Sequence, residues 1–147
     1  MKKRILLVAF VFAIGMSSVL ANTVDGVNEK VLNSFQKEFA GAKDMYWQKG
    51  DAFLKVSFTL NDKVLFAYYN ESGEKLALVR NITSFDLPLG LQIELKQDYG
   101  QYWITDLFEF NGQEDSAYYV TVENADVKVT LKSSGMNGWI VYKRAQK

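Results

Sequence analysis

Apolar residues in this chain recur first every four positions, then every second position, and the two periods then repeat in the same order. Val27, Val31, Phe35 and Phe39 step by four, which lays them along one stripe of a helix. Asp25 is placed to cap that helix near Gly26. Gly41 follows where a left-handed residue closes a helix. Four strands are predicted next, at Lys43–Gln48, Phe53–Leu60, Lys63–Tyr69 and Lys75–Arg80. Gly50-Asp51, Asn61-Asp62 and Glu71-Ser72-Gly73 supply the turns between them.

The second half runs through the same sequence of patterns. Leu87, Leu91, Leu95 and Tyr99 form a helical stripe, Pro88 suits the first turn, and Gly100 stands at the stop. Strands follow at Tyr102–Phe110, Ala117–Glu123, Asp126–Lys132 and Trp139–Lys143, with turns at Asn111-Gly112, Asn124-Ala125 and Ser134-Gly135. Sliding the chain by 62 positions lays Gly73 on Gly135, Phe58 on Val120 and Tyr69 on Leu131. The chain therefore reads as an α+β protein made of two helix-plus-four-strand repeats, about 25–80 and about 84–144.

Alternation also assigns faces. Val127, Val129 and Leu131 alternate with Asp126, Lys128, Thr130 and Lys132, so the apolar set faces the helix. By the 62-residue offset, Leu65, Ala67 and Tyr69 point toward the first helix, and Val64, Phe66 and Tyr68 point away. Leu54, Val56, Phe58 and Leu60 read inward, leaving Phe53, Lys55, Ser57 and Thr59 outward. The first repeat thus shows Phe53, Phe66 and Tyr68 on the sheet face opposite its helix. The second is expected to show mostly Lys, Thr and acidic residues there, with Tyr119 the exception.

The first 21 residues have a different character. Lys2-Lys3-Arg4, an apolar run from Ile5 to Ile14, and small residues ending in Val19-Leu20-Ala21 make the layout of a secretory signal peptide. Cleavage is expected between Ala21 and Asn22, leaving residues 22–147 as one domain outside the cytoplasm. The competing reading is an uncleaved anchor, but Gly15, Ser17, Ser18, Ala21 and Asn22 dilute the second half of the stretch. The chain has 17 basic and 17 acidic residues; without Lys2, Lys3 and Arg4 the acidic ones exceed the basic, so no nucleic-acid footprint is expected.

Absences narrow the chemistry. With no His and no Cys, the Ser-His-Asp and Cys-His arrangements, thiol chemistry, disulfides and the common zinc sites cannot be built. No phosphate-binding glycine loop is present. Asn70-Glu71-Ser72-Gly73-Glu74 and Asn111-Gly112-Gln113-Glu114-Asp115 are rich in oxygen ligands but lack the alternation of a calcium loop, so they read as hairpin turns. No cofactor, metal or catalytic residue is expected, and the chain reads as no enzyme.

These residues resemble the exported PepSY-like proteins, also described as β-lactamase-inhibitor-like. The likeness lies in Phe39 and Ala42 at the helix exit, Trp47 on the next strand, Ala67-Tyr68-Tyr69, and Gly73-Glu74. Arg80-Asn81-Ile82, the Leu87-Pro88 helix start and the Tyr118–Asn124 stretch continue it across nearly all of residues 22–147. Ala40, where Pro is usual, and Gly100-Gln101, where Pro-Gly is usual, depart from it. The resemblance implies helices on one face of a curved antiparallel sheet and an exported binding or inhibitor-like role.

The open-face aromatics Phe53, Phe66, Tyr68 and Tyr119, together with Trp47, are the candidate contacts for a protein or peptide partner. Cross-strand ring pairing is the structural alternative for the same residues, and the family position of Trp47 implies core. Arg80 reads as the partner of a structural acid. A periplasmic carrier of a small molecule or lipid, held between helices and sheet, is the alternative function. No membrane contact is expected once the leader is removed.

Overall fold

A computed structural model describes residues 26–147 of the protein. The leader, its Ala21-Asn22 junction and Asp25 lie outside the described residues. The elements run α1 (Glu29–Glu38), β1 (Lys43–Lys49), β2 (Leu54–Leu60), β3 (Lys63–Tyr69) and β4 (Lys75–Asn81). A short 3-10 turn (Ser84–Asp86) leads to α2 (Leu89–Tyr99). Then come β5 (Trp103–Gly112), β6 (Ser116–Glu123), β7 (Val127–Ser133) and β8 (Ile140–Gln146). All eight strands form one antiparallel sheet in sequence order, β1 through β8. Helix-then-four-strands occurs twice, as the periods indicate.

Helix α1 starts at Asn28, whose side-chain oxygen accepts the Val31 N–H at 3.1 Å. The expected stripe is its buried face: Val31 and Phe35, with Phe39 just beyond, pack on Trp47, Leu54, Val56, Phe58, Ala67 and Tyr69. Helix α2 sets Leu91 and Leu95, together with Leu87, against Leu107, Val120, Val122, Val129 and Leu131. Strand register places these sheet residues on one face, so both helices cover the same side. The pairs related by the 62-residue offset take matching places: Phe58 and Val120, and Tyr69 and Leu131, all point at their helices. Gly100 does follow α2 but keeps a right-handed backbone, and the exit is a tight turn closed by Tyr102 N–H on the Tyr99 carbonyl.

In both halves the last hairpin docks on the helix. The Asn28 side-chain amide donates to the Glu71 carbonyl at 2.8 Å. Trp139 donates its indole N–H to the Leu91 carbonyl at 3.0 Å and its backbone N–H to the Glu94 carboxylate at 3.2 Å. The halves join where β4 pairs with β5, directly bridging the segment that carries α2. Arg80 and Glu109 face each other across that seam, with Nη2 and Nε donating to Oε2 at 2.7 and 3.1 Å. Arg80 thus holds a structural acid.

Strand β8 extends to Gln146, past the expected end at Lys143. It is an edge strand with exposed residues nearly throughout, so its C-terminal end needs no apolar alternation and leaves no trace in the pattern.

Candidate functional site

The sheet face away from the helices is assembled by register. Lys55 lies opposite Tyr68, and Ser57 opposite Phe66. Phe66 pairs with Val79, and Val79 with Phe110. Phe108 pairs with Tyr119, and Phe110 with Ala117. Side chains directly across from one another share a face, so Phe66, Tyr68, Phe108, Phe110 and Tyr119 all lie on this one. Ala77, Val79 and Ala117 give it a floor of small residues between the rings.

The rings contact one another across both halves. Phe108 stacks on Tyr119 with centroids 5.2 Å apart, and Tyr119 meets Tyr142 edge-on at 5.5 Å. Phe53 lies 5.7 Å from Tyr68. Tyr68 and Tyr119 are buried, at 1% and 2% exposure, whereas Phe53 and Phe66 are half-buried. Among the described residues, no helix lies on this face.

This arrangement corrects one expectation. The second half is not mostly polar there, since it contributes Phe108, Phe110 and Tyr142 as well as Tyr119. A register shift between Ile104 and Asp106 breaks the alternation of β5, and Leu107 beside Phe108 makes that strand apolar on both faces. A similar irregularity in the β7–β8 pairing obscures Tyr142. The signal available was the Leu107/Glu109 against Phe108/Phe110 alternation, read outward from the Asn111-Gly112 turn.

Trp47 is set apart from the other four candidates. It pairs with Val56 and packs edge-on against Phe35 at 5.4 Å, inside the core under α1. The left-handed backbone of Asp44 and the register shift between Lys43 and Tyr46 put its face beyond simple alternation.

Burial governs the ionisation of the tyrosines. It pushes the Tyr119 phenol up to about 12, with Asp115 adding to the effect. Burial also raises Tyr68, and raises Tyr69 together with the Glu38 charge. These groups keep their protons in the fold at pH values where an unfolded phenol, near 10, has lost its own. The stability they contribute is therefore whole below about pH 10 and falls as pH climbs toward the folded values. An absorbance titration should show a buried tyrosine class ionising late, with unfolding setting in above about pH 10. Every tyrosine of the folded protein titrating together near pH 10 would contradict this packing.

A groove lies on the helix side. It has a volume of about 480 Å³ and is lined by Phe85, Leu89, Ile93, Tyr99, Tyr102 and Ile104. Phe85 and Leu89 are strongly exposed, at 88% and 70%. The sequence reading missed it because α2 is apolar on two sides: one stripe enters the core, and Leu89 and Ile93 project from the other side.

The oxygen-rich turns use their ligands internally. Asn70 Oδ1 accepts the Ser72 and Glu74 N–H groups at 3.0 and 2.9 Å, and Gln113 donates to the Glu74 carboxylate and the Lys75 carbonyl at 2.8 Å. Among the described residues, no group of three or more His, Cys, Asp or Glu is placed to hold a metal. No helix of the described residues is long and apolar enough to cross a membrane.

Solved structures share this fold. A candidate periplasmic protein from Bacteroides eggerthii superposes with a TM-score of 0.73 at 11% identity, covering 82% of this chain and 88% of its own. A DUF2874 family protein from Bacteroides ovatus gives 0.72 at 16% identity, covering 86% and 89%. A BLIP-like protein from Bacteroides fragilis gives 0.70 at 13% identity, covering 92% and 91%. No family model matches the chain, and no curated protein matches it. At such identities the likeness establishes the fold and transfers no ligand. The BLIP-like part of the sequence resemblance is supported, and none of these three structures is described as an enzyme.

Proposed function

We propose that the chain is exported, loses its leader after Ala21, and serves as a non-catalytic module that holds a protein or peptide on the helix-free face of its sheet. One observation carries the reading: rings from both halves of the chain meet on the face that neither helix covers. Rings are favoured interface anchors because they bring large contact area at little cost in side-chain entropy. The candidate periplasmic description of one structural neighbour and the BLIP-like description of another support export and binding. The Phe39, Ala42, Trp47, Ala67-Tyr68-Tyr69 and Gly73-Glu74 pattern supports, within this reading, a likeness to the PepSY-like group.

The structure changes which residues should be tested. Tyr68 and Tyr119 are buried, so truncating them tests stability as much as binding. Phe53 and Phe66 are half-buried. A double Phe53→Ala and Phe66→Ala variant of residues 22–147 should lose capture of a partner from extracts of the source organism while its Tm falls by only a few degrees. Unchanged capture by that variant would remove this face from the function.

The groove beside α2 favours a second reading, carriage of a small apolar molecule or lipid. Its volume lies in the range of ligand sites, about 300–1,000 Å³. Native mass spectrometry of the purified protein should then show a copurifying ligand, displaced in an Ile93→Glu variant; bare protein alone would dismiss it.

A further inference from the structure

The helix-free face has an uneven distribution of charge, and this deepens the reading just proposed, on which it rests. Lys132 on β7 has a carboxylate partner, Asp115, at 3.8 Å and lies 5.4 Å from the Tyr119 ring centroid. Lys128 stands directly across from Glu123 and within the influence of Asp106. Lys55 differs from both. Its cross-strand neighbours are Gln48 and Tyr68, neither of them charged, and it makes no ion pair among the described residues.

Lys55 is also partly removed from water. It is half-buried, with Nζ 5.0 Å from the centroid of Phe66. Burial lowers its pKa, as happens when an ammonium loses solvent and gains no carboxylate. The face of an aromatic ring replaces only part of that hydration. The site is thus a cation beside two accessible rings, Phe53 and Phe66, lacking the facing carboxylate that Lys132 and Lys128 have.

We infer that Lys55 anchors a carboxylate side chain of a partner protein's loop or strand, set beside an apolar residue that packs on Phe53 and Phe66. The carboxylate supplies the missing counter-charge, and the neighbouring apolar residue excludes water from the pair. A neutral or basic segment would leave the ammonium desolvated and unpaired, so the same geometry selects against it.

A random-peptide display library selected on residues 22–147 supplies the probe. Recovered peptides should carry Asp or Glu next to an aliphatic or aromatic residue. Their binding, followed by fluorescence anisotropy, should weaken about tenfold or more in Lys55→Gln. Lys55→Arg should retain most of it, and Lys63→Gln, a change at an exposed lysine of β3, should leave it unaltered. Peptides that are lost in Phe66→Ala but show no acidic preference and ignore Lys55→Gln overturn this inference alone. Peptides indifferent to Phe66→Ala, or the failure to select any peptide, overturn the docking face along with it. Melting curves of each variant confirm that binding is read on folded protein.

Discussion

Replacing Phe35 with alanine should destabilise the protein by about 3–5 kcal/mol, the usual loss for truncating a fully buried aromatic. Phe35 is 1% exposed and is the meeting point of the first core. Its ring lies 5.4 Å from Phe39, 5.4 Å from Trp47 and 5.0 Å from Phe58, the last two edge-on. Removing it forfeits apolar burial and also leaves a cavity that three rings from three elements cannot readily fill. For a domain of this size, the Tm should drop by about 10 °C or more. A fall of only a degree or two would mean that α1 is not what closes this core. The variant also separates the two sheet faces: if it remains folded at low temperature, binding on the far side should survive.

The next largest effect is expected at Gly73. Its backbone has φ +87°, and a Cβ built there would stand 2.8 Å from the Lys30 carbonyl oxygen and 3.0 Å from its carbon. Two costs therefore coincide in Gly73→Ala, a left-handed backbone and a collision with the helix that the β3–β4 hairpin docks on. Gly41 separates them, because its φ is also +87° but nothing lies within 4 Å of a Cβ there. Gly41→Ala should cost about 1 kcal/mol from backbone conformation alone. Gly73→Ala should cost about 2–4 kcal/mol, since the turn must also withdraw from α1. Equal losses in urea unfolding would show that the hairpin does not press on the helix.

The local code was legible wherever a residue's neighbours in sequence determine its environment. The stripe of Val27, Val31, Phe35 and Phe39 predicts α1 because a helix returns to the same side every 3.6 residues. The inward set Leu54, Val56 and Phe58 and the outward set Phe66 and Tyr68 follow from strict alternation in two regular strands, and the structure places them so. Legibility failed where the ladder slips. Trp47 follows a register shift and a left-handed residue, and Phe108 and Phe110 follow another shift, so counting by twos from the strand start misplaces them. Asn28 took the helix start expected for Asp25, a choice between nearby polar residues that depends on where the first turn closes.

By itself, the sequence determined the order of elements, the apolar stripes of both helices and the facing of β2, β3 and β7, because each depends on short-range periodicity. It also determined the chemistry that is out of reach, since a chain without His or Cys cannot build sites that need them. Only the tertiary structure decided that β4 and β5 pair across the α2 segment, bringing Phe66 and Phe110 to the two sides of Val79. That pairing, together with the irregular registers of β5 and β8, gathers rings from distant parts of the chain onto one face, where Lys55 makes no ion pair among the described residues. Contacts of that range arise from strand pairing between segments far apart in the chain, and no local period records them.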